Sequence, residues 1–447
     1  MKLDSKSVLL IGATLIVLLP FILWWVFRLR RILPLAAIQI FVGIALGPTL
    51  LGSFAPEAHS VLFGCSIVDG LKDCAIPNGI KALAAISVVL FAFLAGTEAD
   101  RDVIRSAGRS VVAIGVGGLL MTWMIGIAVG SYLVQGYPEV LGQSRNPAIF
   151  ALAFGLCNAV PALPVLALIL NEVGLNRRRI GAVALASAAL GDAVLWTSMA
   201  VILPFAKGAG GLVEKCALAI GGGLAVVLLC LYLINPLLRY AERTKAPERV
   251  LMILVGIAIF ACAALTQATG LHAVLGAFMV GVMLPEGVRH MAASKLDMPT
   301  SMLLLPFFFL DTGLQANITV GQSAIWVIFG TGMIVCVLAK TAATVLFARL
   351  AGENFAFGFM SGILLQTKGL MELVVITVFK DAGIVSTETY SALVLVALAS
   401  TALTMPVCNL LLGPWGERID ASGRRPSAAP VSAQLRPSPH QGPRRRA

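Results

Sequence analysis

Charged residues are few in this chain: 12% of 447, against 58% hydrophobic, with a mean hydropathy of +0.93. A water-soluble domain carries roughly twice that charge, about 25%, so a soluble globular fold is excluded. Histidine is scarce too, four residues spread along the chain, and the eight cysteines fall at no metal-ligand spacing. No metal centre is expected. No Ser–His or similar nucleophile–base pair falls at one depth of the apolar stretches, which argues against a membrane hydrolase and for a chain that is not an enzyme. No glycine-rich nucleotide fingerprint follows residue 412, so neither a nucleotide-binding unit nor another cofactor site is expected in this sequence. Aromatics make up 7% and do not interleave with the basic residues, so the net charge of +11 is not the footprint of a nucleic-acid partner.

What the chain has instead is apolar length. Stretches recur at about 7–27, 34–51, 80–97, 110–134, 147–170, 180–204, 212–237, 249–267, 271–284, 300–315, 323–348, 356–377 and 388–412, thirteen in all. Most approach the ~20 residues that span a ~30 Å hydrocarbon core, although 271–284 and 300–315 are short. The first lacks a small-residue cleavage site after Trp24-Trp25 and is followed by Arg28, Arg30 and Arg31, so it reads as a retained span rather than a signal peptide. The expected fold class is an all-α polytopic membrane protein with about thirteen transmembrane helices.

Basic residues set the orientation. Loops after odd-numbered stretches hold 16 Lys and Arg, and loops after even-numbered ones hold 6. By the positive-inside rule the odd loops are cytoplasmic, the N-terminus is outside and the C-terminus is cytoplasmic, in the cell's inner (plasma) membrane. Cys65 and Cys74 then share an external loop, where an oxidising compartment makes a disulfide plausible. Residues 413–447, rich in Pro, Ser, Ala and Arg, are expected to form a disordered cytoplasmic tail.

The chain also repeats itself. FVGIALGP at 41–48 is echoed by MVGVMLPE at 279–286, and FAFLAGTEAD at 91–100 more weakly by FFLDTGLQAN at 308–317. Two six-helix halves joined by one linker helix must enter the membrane from opposite sides, which makes an inverted repeat. The glycines at 43, 47, 276 and 281 read as close-packing positions.

One carboxylate stands out within this pattern. Asp192 lies inside the 180–204 stretch, roughly 18 Å from Ile180 and so near the bilayer midplane. Acidic residues at that depth usually face a water-filled cavity or an ion path. The preceding stretch, 147–170, is interrupted at similar depth by Asn158, Pro161 and Pro164. Its equivalent in the second half, 356–377, is interrupted by Gln366, Thr367, Lys368 and Gly369. Two broken helices meeting at midplane beside a buried charge form the ion-site layout of a secondary transporter.

These residues resemble the sodium/hydrogen exchanger superfamily, specifically its monovalent cation:proton antiporter-2 branch. The resemblance covers roughly 10–412 and rests on GIALGPTLLG (43–52), LFAFLAGTEAD (90–100), NAVPALPVLALILNEVGL (158–175), ALASAALGDAV (184–194), GLHAVLGAFMVG (270–281), LPFFFLDTGL (305–314), Lys340 and QTKGLMELVV (366–375), in that order. It implies scaffold helices at 1–109 and 249–320 that mediate a homodimer, core helices at 110–204 and 321–412 that carry the crossed broken helices, and a linker helix at 205–248. Asp192 matches the family's ion-binding aspartate and Lys340 its core lysine. Three positions depart from the family's pattern: Gly191 where an acid or amide usually precedes the aspartate, Pro161 where a small hydroxyl is usual, and Thr367-Lys368-Gly369 where Thr-Arg-Gly is usual.

The function implied is antiport of a monovalent cation, Na⁺ or K⁺, against protons, serving pH homeostasis. One buried carboxylate can run it, because a bare charge is costly there and either a proton or a cation neutralises it. Asn158, Thr367 and the carbonyls freed at 158–162 would complete the ion's ligands, with Lys340 and Lys368 as site charges. Blander readings stand beside this one. Asp192 could be a structural partner of a lysine, Lys340 could snorkel, and Lys368 and Glu372, four apart, could simply pair along their helix. A transport-inactive scaffold or sensor would keep this fold while losing its ion chemistry, and Gly191 and Pro161 favour it.

Overall fold

The structure, a computed structural model, describes residues 5–26, 35–63, 66–68, 71–73, 75–98, 108–175, 178–206, 212–318 and 323–420. Cys65, Cys74 and the tail beyond Asp420 lie outside these residues. Eight of the described helices are long and apolar enough to cross a membrane, and four shorter apolar helices join them. Each of the thirteen apolar stretches is helical over most of its described residues, and two of them, 147–170 and 356–377, are broken within.

The first half contains α1 (Ser5–Trp25), α2 (Leu35–Leu46), the short α3 (Leu51–Phe54) and α4 (Pro56–Phe63), and a hairpin of β1 (Ser66–Val68) and β2 (Leu71–Asp73). It continues with α5 (Ala75–Glu98), α6 (Arg109–Gly136), α7 (Pro147–Ala159), α8 (Leu163–Glu172) and α9 (Arg179–Ala206). A linker, α10, runs over Leu212–Leu229 and through a π-turn at Cys230–Ile234 into Asn235–Arg243. The second half holds α11 (Glu248–Ala268), α12 (Ala273–Met283), α13 (Glu286–Pro299), α14 (Leu305–Gln315), α15 (Ser323–Leu350), α16 (Phe355–Leu365), α17 (Leu370–Asp381) and α18 (Thr387–Asp420).

Two boundaries differ from the sequence expectation. The helix expected from 300 begins at Glu286, because α13 runs into α14 through a π-turn at Thr300–Leu304. Its polar composition hid it, yet Val288 and Ala292, four apart, bury one face, and Glu286 in the first turn complements the helix dipole. The last helix continues past 412 to Asp420.

The inverted repeat is visible in how helices cross. α2 packs on α14 and α5 on α12, which are the same pairing seen from each half. Both crossings are made glycine to glycine. A Cβ on Gly43 would stand 2.6 Å from Leu310 O and 2.9 Å from Gly313 Cα, and one on Gly96 would stand 2.3 Å from Phe278 O and 3.1 Å from Gly281 Cα. Backbones this close leave no room for any side chain, and buried apolar residues such as Ile40, Phe93 and Leu310 surround them.

The broken helices start alike. Asn146 caps α7 by accepting from the Ile149 N–H (3.2 Å), and Asn354 caps α16 by accepting from the Phe357 N–H (2.7 Å). Each cap is worth ~1 kcal/mol and fixes where its half-helix begins. The first half-helices have 13 and 11 residues, roughly 20 and 16 Å, so each stops about halfway through a bilayer.

Both ends of this region tie the halves together. At one end, Gly142 N–H donates to Ile384 O (3.1 Å), Ser144 N–H to Gly383 O (2.9 Å) and Ser386 N–H to Val140 O (3.2 Å), zipping the α6–α7 loop to the α17–α18 loop. At the other, Arg179 forms a two-pronged pair with buried Glu353, which also accepts from Ser110, and the guanidinium lies 5.1 Å from the Phe357 ring centre.

Candidate functional site

The first break is chemical in origin. Pro161 has no N–H to continue α7, and the residue before a proline is pushed out of helical geometry. Val160 is extended accordingly, at φ −78°, ψ 134°. The chain re-enters a helix at Leu163, with Pro164 in its first turn, where proline is tolerated. The second break spans 366–369, between α16 and α17, and Gly369 is needed because a Cβ there would stand 2.5 Å from Val165 Cγ2.

The breaks hold one another. Ala162 N–H donates to Thr367 O (3.0 Å), while the Thr367 hydroxyl donates to Leu364 O (2.9 Å). The Lys368 ammonium, fully buried, reaches back to the end of α7 and donates to Cys157 O and to Val160 O (3.0 Å). It also pairs with Glu372 Oε1 at 3.0 Å. Each charge thus faces the helix end that suits it, the cation at the C-terminus of α7 and the carboxylate in the first turn of α17. Thr401 on α18 secures the backbone: its hydroxyl accepts from Lys368 N–H (2.9 Å) and donates to Lys368 O (2.7 Å). Gln366 Nε2 donates to Thr404 Oγ1 (3.3 Å).

Asp192 comes to this crossing along α9. Its neighbour Gly191 abuts the first break, where a Cβ would stand 3.0 Å from Pro161 Cδ. Two of the three departures from the family's pattern, Gly191 and Pro161, are therefore neighbours, the proline ring taking the space beside the glycine. Asp192 itself is half-buried. One turn on, Trp196 stacks on Phe278 of α12 with ring centres 4.9 Å apart.

Asn158 is fully buried, and its amide donates to Phe154 O (2.8 Å). Its Oδ1 accepts no hydrogen bond from a described residue and lies toward Gly332 on α15, 3.5 Å from where a Cβ would sit. Lys340 follows a π-turn at Ile334–Ala339 and is buried, its ammonium making no hydrogen bond to a described residue. It lines a cavity of about 10 Å³ with Ala159, Pro161, Ser187 and Thr344, room for about one water. Asp311 lies apart on α14, accepting from Gln315 Nε2 at 2.6 Å.

Of the residues singled out in the sequence, Pro161, Lys340, Lys368, Thr367 and Gly369 converge on the crossing, and Gly191 brings Asp192 to its edge. Thr401 and Thr404 were missed. Their signal was a run of hydroxyls, Ser400, Thr401 and Thr404, inside an otherwise apolar helix.

The chain matches the family described as "Sodium/hydrogen exchanger, transmembrane" over residues 15–409. Cation/H(+) antiporter 15 of Arabidopsis thaliana is 30% identical over 407 residues, covering 89% of this chain and 47% of that protein. K(+)/H(+) antiporter 1 of Saccharomyces cerevisiae is 26% identical, covering 83% and 43%. Na(+)/H(+) antiporter NhaS4 of Synechocystis is 23% identical over 90% of this chain and 97% of its own. The chain spans about half the length of the first curated relatives it matches. In fold it is similar to the sodium proton antiporter MjNhaP1 of Methanocaldococcus jannaschii, with a TM-score of 0.59, 12% identity, and coverage of 93% of this chain and 99% of that one.

Proposed function

The chain belongs to the transmembrane sodium/hydrogen exchanger family, and on that premise we propose that it exchanges a monovalent cation for protons across the cytoplasmic membrane. The observation that carries the proposal is Asp192: a half-buried carboxylate midway along α9, set beside two helices broken at half-bilayer depth. Proton and cation are alternative occupants of that carboxylate. The bare charge is costly in the interior, so the occupied site crosses and the empty one does not. Relatives named for K⁺ and for Na⁺ exchange support a monovalent cargo of either kind.

In this reading α6–α9 and α15–α18 form the core that carries the ion, and α1–α5 with α11–α14 form a scaffold through which a homodimer assembles. The tight glycine crossings of α2 with α14 and of α5 with α12 suit a rigid scaffold, and the ties at both ends of the broken-helix region suit a core that moves as one piece. The N-terminus faces outside and the C-terminus the cytoplasm, following the basic loops. Asp192, with Asn158 and Thr367 near the breaks, supplies the side-chain oxygens, and Lys340 supplies charge.

Purified protein in liposomes with an internal pH dye tests this. Adding Na⁺, K⁺, Li⁺ or Rb⁺ outside should move protons for at least one ion. No ion-driven proton movement with any of them would instead favour a transport-inactive scaffold.

A further inference from the structure

The Lys368 ammonium sits in a cage of oxygens contributed from both breaks. Two are backbone carbonyls at the end of α7, Cys157 O and Val160 O, and the third is Glu372 Oε1. Two hydrogen bonds to carbonyls and an ion pair to the carboxylate surround the ammonium, three oxygens for a group with three N–H donors. The side chain is completely buried, and Thr401 grips the residue's N–H and C=O from a third helix. Two carbonyls and one carboxylate around a dehydrated unit charge are also the hard-oxygen donors that bind a free cation.

We propose that this cage is a monovalent-cation site held permanently full by a tethered cation, Lys368. The tether does two things. It closes the Cys157 and Val160 carbonyls to the transported ion, leaving Asp192 as its charged ligand. It also fixes the ends of α7 and α17 against each other while the proton and cation exchange elsewhere. Lys368 is a positioning residue, acting on the break rather than on the cargo. The cage is defined by its geometry, and only its consequence for transport rests on the antiporter reading.

Replacing Lys368 with alanine removes three methylenes and the ammonium, which is the volume of n-propylammonium, and leaves all three oxygens in place. In detergent, Lys368→Ala should melt roughly 5 °C or more below wild type. n-Propylammonium should recover most of that loss in a saturable way, while choline at equal ionic strength should not, and wild type should respond to neither. Lys368→Met/Glu372→Gln, which removes both charges at near-constant volume, should not respond to the amine. If Lys368→Ala does not survive purification, solubilisation with n-propylammonium present should yield folded protein, and loss with and without it would overturn the proposal. So would an equal amine response in wild type, in the double variant and in Lys368→Ala, or no response at all. In liposomes, the amine should raise the variant's maximal rate while leaving the KM for the transported cation unchanged. A rescue acting through KM would place Lys368 on the cargo and overturn the positioning role. Because melting needs no transport, a missing amine response and a missing antiport activity are told apart.

Discussion

Helices cross closely at two kinds of place in this molecule, and opposite chemistry brings them together. Where α2 meets α14 and α5 meets α12, the side chains are simply absent: glycine faces glycine and the surroundings are apolar. Where α7–α8 meets α16–α17, backbone groups set free by the breaks are answered one by one, by Lys368, Thr401 and the two strands of the break themselves. The first kind tolerates no added atom, and the carboxylate that α14 carries beside it, Asp311, is already bonded to Gln315. The second keeps polar atoms that make no hydrogen bond to a described residue, among them Asn158 Oδ1, Gln366 Oε1 and Lys340 Nζ. A dry crossing can only be rigid, whereas a polar one with spare hydrogen-bonding capacity can bind and release.

The comparison breaks most sharply at Asp192. Asp192→Asn keeps volume and removes the titrating charge, so exchange in liposomes should fall to that of protein-free vesicles while size-exclusion elution stays unchanged. Transport at the wild-type rate would show that the polar crossing is not the ion site.

Next in size is the dry crossing itself. Gly96→Val forces branched carbon into the Phe278 backbone, and overpacking of this kind costs ~1–3 kcal/mol or more. The variant should melt lower and aggregate on solubilisation. At the polar crossing, Thr401→Val leaves the Lys368 N–H and C=O unanswered, at ~1–3 kcal/mol. That variant should remain folded but transport more slowly. Thermal melts read beside flux rates would show whether the two crossings divide stability from activity in this way.

A smaller effect belongs to the contact between Gly191 and Pro161. Gly191→Ala places a Cβ 3.0 Å from Pro161 Cδ, tighter than ordinary contact, and should slow exchange. Adding Pro161→Ala should return part of the rate, with a coupling of ~0.5–3 kcal/mol in a double-mutant cycle. Additive effects would mean that the two positions do not share one space.

The smallest expected effect is none. Gly191 brings no second carboxylate, and Lys368 is paired with Glu372. Exchange through Asp192 alone is then one proton for one monovalent cation. An imposed membrane potential should leave the flux reversal point where the ion and pH gradients put it, and a clear shift would bring a second titrating group, first of all Lys340, into the cycle.

The spans and both breaks were legible because their signals are local: a run of apolar residues, the missing N–H of Pro161, or the polar run 366–369 inside an apolar stretch declares itself within a few positions. The repeat was legible through glycines, since only glycine permits those backbone approaches. What the sequence hid was of two kinds. α13 reads as a loop because its charges mask a single buried face at Val288 and Ala292. The partners of Lys368 are mostly backbone carbonyls, which carry no residue identity, and Thr401 lies 33 positions away in a helix whose hydroxyls barely alter its hydropathy. The contact of Gly191 with Pro161 was hidden in the same way, each residue looking like an isolated loss.

The zipper between the α6–α7 and α17–α18 loops has a kinetic meaning. The amides of Gly142, Ser144 and Ser386 donate to carbonyls of the facing loop, not to neighbours in their own. Such an amide can trade its proton for solvent deuterium only when the two loops part, and parting them opens the end of the region holding the broken helices as a unit. Protection at Gly142 and Ser144 and at Ser386, some 240 residues apart in sequence, is therefore one lifetime rather than two.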